Sequence, residues 1–361
     1  MSDLPQADRS RPVRAGEELD LARLEPYLRA KVSFEGPLAV EQFPSGHSNL
    51  TYLVKAGQNE WVLRRPPFGT RVKTAHDMGR EFKILSGLRP VYPKVPRPLV
   101  NCEDPGVIGA PFYLMERVRG VILRGSQPKA AAALSAQTMT RLSTTLVDTL
   151  AELHAVDVAA AGLADLGHPE GYVRRQVEGW TRRYFDAKTD EVPQVEQAAT
   201  WARQHLPKQS GAALIHNDFK YDNVVLDPSD LTRIVAILDW EMATVGDPLT
   251  DLGTTLGYWQ DPDDSNELRM LPFGPTLLPG NLTRTQVVER YQKASGRDAS
   301  GILFYYVFAL FKIAVIAQQI YKRYVEGHTK DERFAAMIMG VNILGQQAAR
   351  AIERGRITGL G

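Results

Sequence analysis

Cysteine is nearly absent: Cys102 is the one thiol in 361 residues. An internal disulfide is therefore excluded, and no C-x-x-C pair exists to hold a structural zinc. An excess of charge is missing as well. The chain carries 43 Lys and Arg against 42 Asp and Glu, so composition supplies no polyanion-binding surface and no nucleic-acid partner is expected. Long apolar runs are scarce. The longest, Ile302 to Phe311, is interrupted by Lys312 before it resumes to Ala317, which predicts a buried helix and no membrane span. Residues Met1 to Arg14 lack the apolar centre of a secretory leader, and 1–16 is expected to be a flexible tail of a cytoplasmic protein. No G-x-S-x-G, H-E-x-x-H or G-x-x-x-x-G-K-[ST] occurs, which removes the nucleophile-elbow hydrolases, the zinc proteases and the Walker-type nucleotide loop. No period of 20–50 residues points to a repeat architecture.

What is present falls into two regions. A short helix around Leu19 to Ala30 precedes strand patterns at Leu38–Phe43, Thr51–Ala56 and Trp61–Arg65, with Gly57-Gln58-Asn59 closing a hairpin. Thr74 opens a helix to about Leu88, and Pro98–Cys102 and Pro111–Met115 add two strands. Beyond Met115 the pattern turns helical. Apolar spacing predicts helices over 138–156, 171–185, 192–205, 247–258, 283–295, 301–325 and 331–353. The stretch 260–282 is a loop, either lining a cleft or connecting through solvent. Strands first and helices second give an α+β, two-lobed protein, with a tail at 1–16, a small lobe at 17–117 and a large lobe at 118–361.

The densest chemistry lies in His216-Asn217-Asp218-Phe219-Lys220-Tyr221-Asp222-Asn223, followed by Ile237-Leu238-Asp239-Trp240. Asp218 and Asn223 are five residues apart and share one loop. Two short apolar runs, 224–226 and 234–238, flank the turn Asp227-Pro228-Ser229-Asp230. If these pair antiparallel, the residue entering the first strand lies beside the residue leaving the second. Asn223 and Asp239 then meet at one end of a hairpin, with Asp218 just upstream. Magnesium takes hard oxygen ligands and relies on one or two carboxylates plus substrate phosphates, which is what such a hairpin presents. Singly, each of these residues would pass for a turn residue; the joint spacing is what carries the reading.

The pattern H-x-D-x-x-x-x-N with a later Asp resembles the catalytic loop of protein kinases and of the aminoglycoside phosphotransferase/choline kinase-like family. The resemblance implies a protein-kinase-like bilobal fold, with ATP and Mg2+ as cofactors. It implies Asp218 as the base toward an acceptor hydroxyl, Asn223 and Asp239 as metal ligands, and Lys220 as a cation toward the transferring phosphoryl group. Asp251, in Gly246-Asp247-Pro248-Leu249-Thr250-Asp251, resembles the buried Asp that braces this loop, and His216 is expected to be a hydrogen-bonded scaffold residue. Trp240-Glu241 replaces the Phe-Gly of protein kinases, Asn217 replaces their Arg, and Ala-Pro-Glu is missing, so the small-molecule branch is favoured.

On the nucleotide side, Ser45, Gly46, His47, Ser48 and Asn49 join the first two strands and can wrap backbone N–H groups around phosphates. The family motif aligns Arg64 with the phosphate-binding lysine, Glu81 is its helix partner, and Met115, Glu116 and Val118 form the lobe linker against the base. The alternative for this pair is two exposed edge charges, a reading that weighs more on Arg65 than on Arg64. Ser48-Asn49-Leu50-Thr51-Tyr52, Leu63-Arg64-Arg65-Pro66-Pro67, Ala75-His76-Asp77-Met78 and Pro111 to Glu116 look like the kinase-like domains associated with acyl-CoA dehydrogenases. Gln176 with Trp180 adds to that likeness. It implies a small-molecule hydroxyl acceptor of the hydroxyacyl-CoA type and a functional association with such a dehydrogenase. Two alternatives stay open: a non-catalytic, pseudokinase-like nucleotide module, and an aminoglycoside kinase. No dense acidic cluster awaits a polyamine in the C-terminal part.

Overall fold

A computed structural model describes residues 10–44, 49–68, 77–125, 134–329 and 331–361. The small lobe is a five-stranded antiparallel sheet of β1 (Ala39–Gln42), β2 (Leu50–Ala56), β3 (Asn59–Arg65), β4 (Pro98–Cys102) and β5 (Phe112–Glu116), in the order β1-β2-β3-β5-β4. Strand alternation divides its side chains cleanly. Tyr52, Val54, Leu63 and Leu114 pack on one face with Leu24 and Leu28 of α1 (Leu21–Arg29), whose first turn is capped by Asp20. Leu53, Val62, Tyr113 and Met115 face the other way, toward α2 (Met78–Leu88) and the main core. Helix α2 starts at Met78, where the Asp77 side chain accepts from Arg80 N; Thr74 lies outside the described residues. Arg11 pairs with Gln42 through backbone hydrogen bonds, and Arg14 N donates to the Gln42 side chain, so this stretch is docked on the end of β1.

The large lobe contains α3 (Ala136–His154), α4 (Tyr172–Ala187) and α5 (Pro193–Gln204), then β6 (Ala213–Ile215), β7 (Val224–Asp227), β8 (Asp230–Ile237) and β9 (Thr244–Gly246). α6 (Pro248–Gly257), α7 (Asn266–Arg269), α8 (Arg284–Ser295), α9 (Ile302–Val325) and α10 (Met337–Arg354) complete it. β7 pairs with β8, and β6 with β9. Central α9 packs on α4, α5, α6 and α10. It is long and apolar enough to cross a bilayer by composition, but 72% of its most apolar window is buried inside the protein.

Two expectations are corrected in detail. The last predicted helix is split: Glu332–Ala336 winds as a tight 3-10 turn, started by the Asp331 carboxylate accepting from Arg333 N, and α10 begins only at Met337. The loop 260–282 is neither featureless nor a solvated connector. It contains α7, and it buries Gln260, Asp261 and Asp264. Both carboxylates turn inward onto the fully buried Arg284, since a buried guanidinium must find anionic partners.

Candidate active site

The predicted hairpin places its residues as the register requires. Val224 lies opposite Ile237, and Leu238 N donates to Asn223 O at 2.8 Å, so Asn223 and Asp239 emerge at the same end. Asn223 Nδ2 donates to both the backbone O and Oδ2 of Asp218, each at 2.8 Å. That leaves its amide oxygen without a partner among these bonds. Lys220 Nζ donates to Asp218 Oδ1 at 2.8 Å and lies 4.3 Å from the centre of the Tyr258 ring. Burial works against its charge, but Tyr258 and the Asp218 carboxylate more than offset this and hold its pKa above the ordinary lysine value.

The loop is fixed from beneath. The Asp251 carboxylate, fully buried on α6, accepts from His216 N at 2.6 Å and Asn217 N at 2.7 Å, and meets His154 Nε2 at 3.1 Å. Burial would raise its pKa; His154, His216 and these N–H donors bring it below the usual carboxylate value. His216 contacts Leu238 O through Nε2 at 2.8 Å and accepts from Asp218 N at Nδ1, which selects the Nε2–H tautomer and ties Asp218 to the hairpin. Asn217 and Asp239 are the two non-glycine residues with positive φ among the described residues, both at 65°. Asn217 is held there by Nδ2 donating to Met242 O and to the Tyr172 hydroxyl, and by Lys312 Nζ donating to its carbonyl at 3.0 Å.

Across the cleft, Arg64 of β3 donates from Nη1 to Glu81 Oε1 at 2.6 Å and from Nη2 to Asp239 Oδ1 at 2.9 Å. Burial pushes the Glu81 pKa up despite Arg64. Burial also opposes ionisation of Asp239, yet the guanidinium brings its pKa below the ordinary value. Arg65 points to the opposite face. It is buried, donates to Ile108 O and stacks 3.6 Å from the Phe68 ring centre, so it is a structural residue outside the cleft and not an exposed edge charge. Asn49 donates to Glu241 Oε2 at 2.6 Å. Ser45, Gly46, His47 and Ser48 lie outside the described residues.

Between the lobes is a cavity of about 470 Å³. Val62 and Met115 line it from above, Val225 and Leu238 from below, and the linker residues Glu116 and Val118 from the side. Arg64, Asn223 and Asp239 also line it. Such a shape suits a flat base against apolar walls with phosphates toward the charged residues. Arg64 supplies an independent test of fit: its Nε is buried and has no hydrogen-bond partner among the described residues, an orphaned donor that a phosphate oxygen would satisfy. No group of three or more His, Cys, Asp or Glu side chains arranged to hold a metal occurs among the described residues. One carboxylate and one amide oxygen suit magnesium that arrives on a nucleotide.

Three residues escaped the sequence reading. Asp222 lines the cavity from within the loop, accepts from Gly125 N at 3.3 Å, and has its pKa raised by burial. Glu241 follows Asp239-Trp240 as one more acid in the same short segment. Lys312 had a readable signal: a lone charge inside an apolar helix must find a partner, and its partner is the catalytic loop.

The lobes, the cleft and the loop define a kinase-like phosphotransferase fold. A profile of the phosphotransferase enzyme family (APH) matches residues 39–284, and the chain belongs to that family. It is 35% identical over 329 residues to mouse acyl-CoA dehydrogenase family member 11, covering 87% of this chain and 41% of that protein. The chain spans between 30% and 43% of the length of such acyl-CoA dehydrogenase family relatives. Among solved structures, "a putative aminoglycoside phosphotransferase" from Ralstonia eutropha JMP134 is similar with a TM-score of 0.78 and 29% identity, covering 93% of this chain and 99% of that one. The GDP and kanamycin complex of APH(2'')-IIIa shares the fold, with a TM-score of 0.59 at 16% identity over 90% of this chain and 96% of that one.

Proposed function

We propose that this chain is an ATP- and magnesium-dependent kinase of a small hydroxylated metabolite. The observation that carries the reading is the convergence of Asp218, Asn223 and Asp239 at one end of the hairpin, beneath a cavity whose buried Arg64 has a donor to spare. The nucleotide would supply the γ-phosphoryl group, and its metal would be held by the Asn223 amide oxygen and the Asp239 carboxylate. Asp218 is placed to orient an acceptor hydroxyl and take its proton. Lys220, bonded to Asp218, places positive charge where the transferred group gains negative charge. Arg64, paired with Glu81, presents Nε to the phosphates. Little covalent chemistry is asked of the protein; positioning and charge do the rest.

For the acceptor we favour a hydroxyacyl-CoA-type metabolite, whose hydroxyl becomes a leaving group once phosphorylated, in functional association with an acyl-CoA dehydrogenase. The relatives' membership of the acyl-CoA dehydrogenase family supports this. The charge around the base supports it too. Lys220 in the loop and Lys312 beneath it stand near the base, and two carboxylates of the neighbouring loop, Asp261 and Asp264, are spent on Arg284. The likeness to a protein described as an aminoglycoside phosphotransferase favours a second reading, a kinase of polyamine antibiotics. That reading asks for several carboxylates around the acceptor, where Asp222 stands with the cations Lys220 and Lys312.

The test is nucleotide consumption against a panel of hydroxyacyl-CoA thioesters, choline-like alcohols, sugars and aminoglycosides. We expect acceptor-dependent turnover with the thioesters that drops about 100- to 10,000-fold in Asp218→Asn, the range for loss of a positioned base. Full activity in Asp218→Asn refutes the role of that residue. Nucleotide binding with no turnover on any acceptor points instead to a non-catalytic module.

A further inference from the structure

Three carboxylates surround one guanidinium in the cleft. Arg64 Nη1 is held by Glu81 at 2.6 Å, and Nη2 is divided between Asp239 at 2.9 Å and Glu241 at 3.5 Å. The group carries two net negative charges, and its members differ in exposure: the Arg64 side chain is 8% exposed, Glu81 1%, Glu241 18% and Asp239 36%. Glu241 does not swing freely, because Asn49 Nδ2 holds the same Oε2 at 2.6 Å.

The arrangement creates a conflict that a metal would expose. A divalent cation on Asp239 and a guanidinium on the same carboxylate repel each other, and a buried guanidinium cannot simply be left unpaired. We infer that Glu241 is a positioning residue that receives Arg64 when Asp239 is given over to the metal. The Nη1–Glu81 bond anchors the guanidinium, so a small rotation carries Nη2 from Asp239 to a carboxylate that already stands 3.5 Å away. Arg64 then keeps two anionic partners, Nε stays directed at phosphate, and Asp239 is free for the cation. The inference rests on the reading of Asp239 as a metal ligand.

Calorimetric titration of a non-hydrolysable ATP analogue at graded Mg2+ concentrations tests it without turnover. In Glu241→Gln the Mg2+ concentration needed for half-maximal tight binding rises about tenfold, while metal-free binding of the analogue changes less than about twofold. In the Arg64→Met background, Glu241→Gln adds no further shift, because Glu241 acts through Arg64. Glu241→Asp keeps the charge one methylene short, and it falls between wild type and Glu241→Gln. An unchanged Mg2+ requirement in Glu241→Gln overturns the inference. So does a shift that persists with Arg64→Met, which would assign the effect to charge alone. Binding by the wild type that ignores Mg2+ overturns the metal reading of Asp239 itself, and is distinguished by needing no variant.

Discussion

The two walls of the cleft are secured in opposite ways. Below, the loop of residues 216–223 is tied by bonds to buried groups: Asp251 to two backbone N–H groups, His216 to Leu238 O, Lys312 to Asn217 O. Above, β3 and β2 reach the same loop region through ion pairs and a side-chain amide, Arg64 to Asp239 and Asn49 to Glu241, whose partners carry the charges a nucleotide and its metal would alter. A group that must be held to a fraction of an ångström needs buried support, and Asp251, His216 and Lys312 supply it. A phosphate site must accommodate arriving charge, so its contacts are exchangeable.

That contrast can be broken most severely at Asp251. Asp251→Asn puts an NH2 group against an N–H donor in a fully buried site. We expect a loss of about 3 kcal/mol in urea unfolding, the scale of charged buried hydrogen bonds, together with reduced kcat. Asp239→Asn on the other wall should leave unfolding within about 1 kcal/mol of wild type, because its carboxylate is partly exposed and loses only a screened pair, while Mg2+-dependent nucleotide binding collapses. Equal destabilisation by the two variants would remove the distinction.

Lys312 sharpens it by pH. Burial pushes its pKa down to about 8, against the pull of Asp218 and Asp251, with Lys220 and Arg183 adding to the depression. Between about pH 8 and the unfolded lysine value of about 10.4, the unfolded chain holds a proton that the folded one has lost, so this group makes stability rise with pH across that window. Thermal melts from pH 7 to 10 should show that rise in wild type and lose its Lys312 component in Lys312→Met. The smallest effect is expected at Lys83, whose pair with Asp165 at 2.7 Å joins the lobes at the exposed surface, with side chains 48% and 72% exposed. Lys83→Ala should cost less than about 1 kcal/mol and nothing at high salt.

The lobe order, the five small-lobe strands and the hairpin were legible because each is written in local pattern: alternation, a turn sequence, an Asp and an Asn five residues apart. The convergence of Asn223 and Asp239 followed from antiparallel register alone. What lay beyond reach depends on contacts distant in sequence. β6 and β9, three residues each, are too short for any periodicity and form only because they find one another across 28 intervening residues. Lys312 bonds a carbonyl 95 residues upstream. Arg65 resembled a surface charge, and only the tertiary fold shows it stacked on Phe68 and bonded to Ile108 O. The contacts of Glu241 could not be seen without knowing that Arg64 and Asn49 descend upon it.

The segment just past the lobe linker does more than connect. Val121 exchanges both backbone hydrogen bonds with Leu226, and a side chain at Gly120 would collide with Leu226 O, so this stretch is laid against the hairpin as a third rail. If the cleft opens, the linker would bend between Arg117, bonded to Glu60 of β3, and Gly120, laid on the hairpin, while bonds such as Ile237 N to Lys94 O would have to give. Upstream of that pivot the chain travels with the roof of the cavity; downstream it is riveted to the floor. Stiffening this four-residue stretch with a proline should slow the release of a bound nucleotide while leaving the grip of the closed form intact.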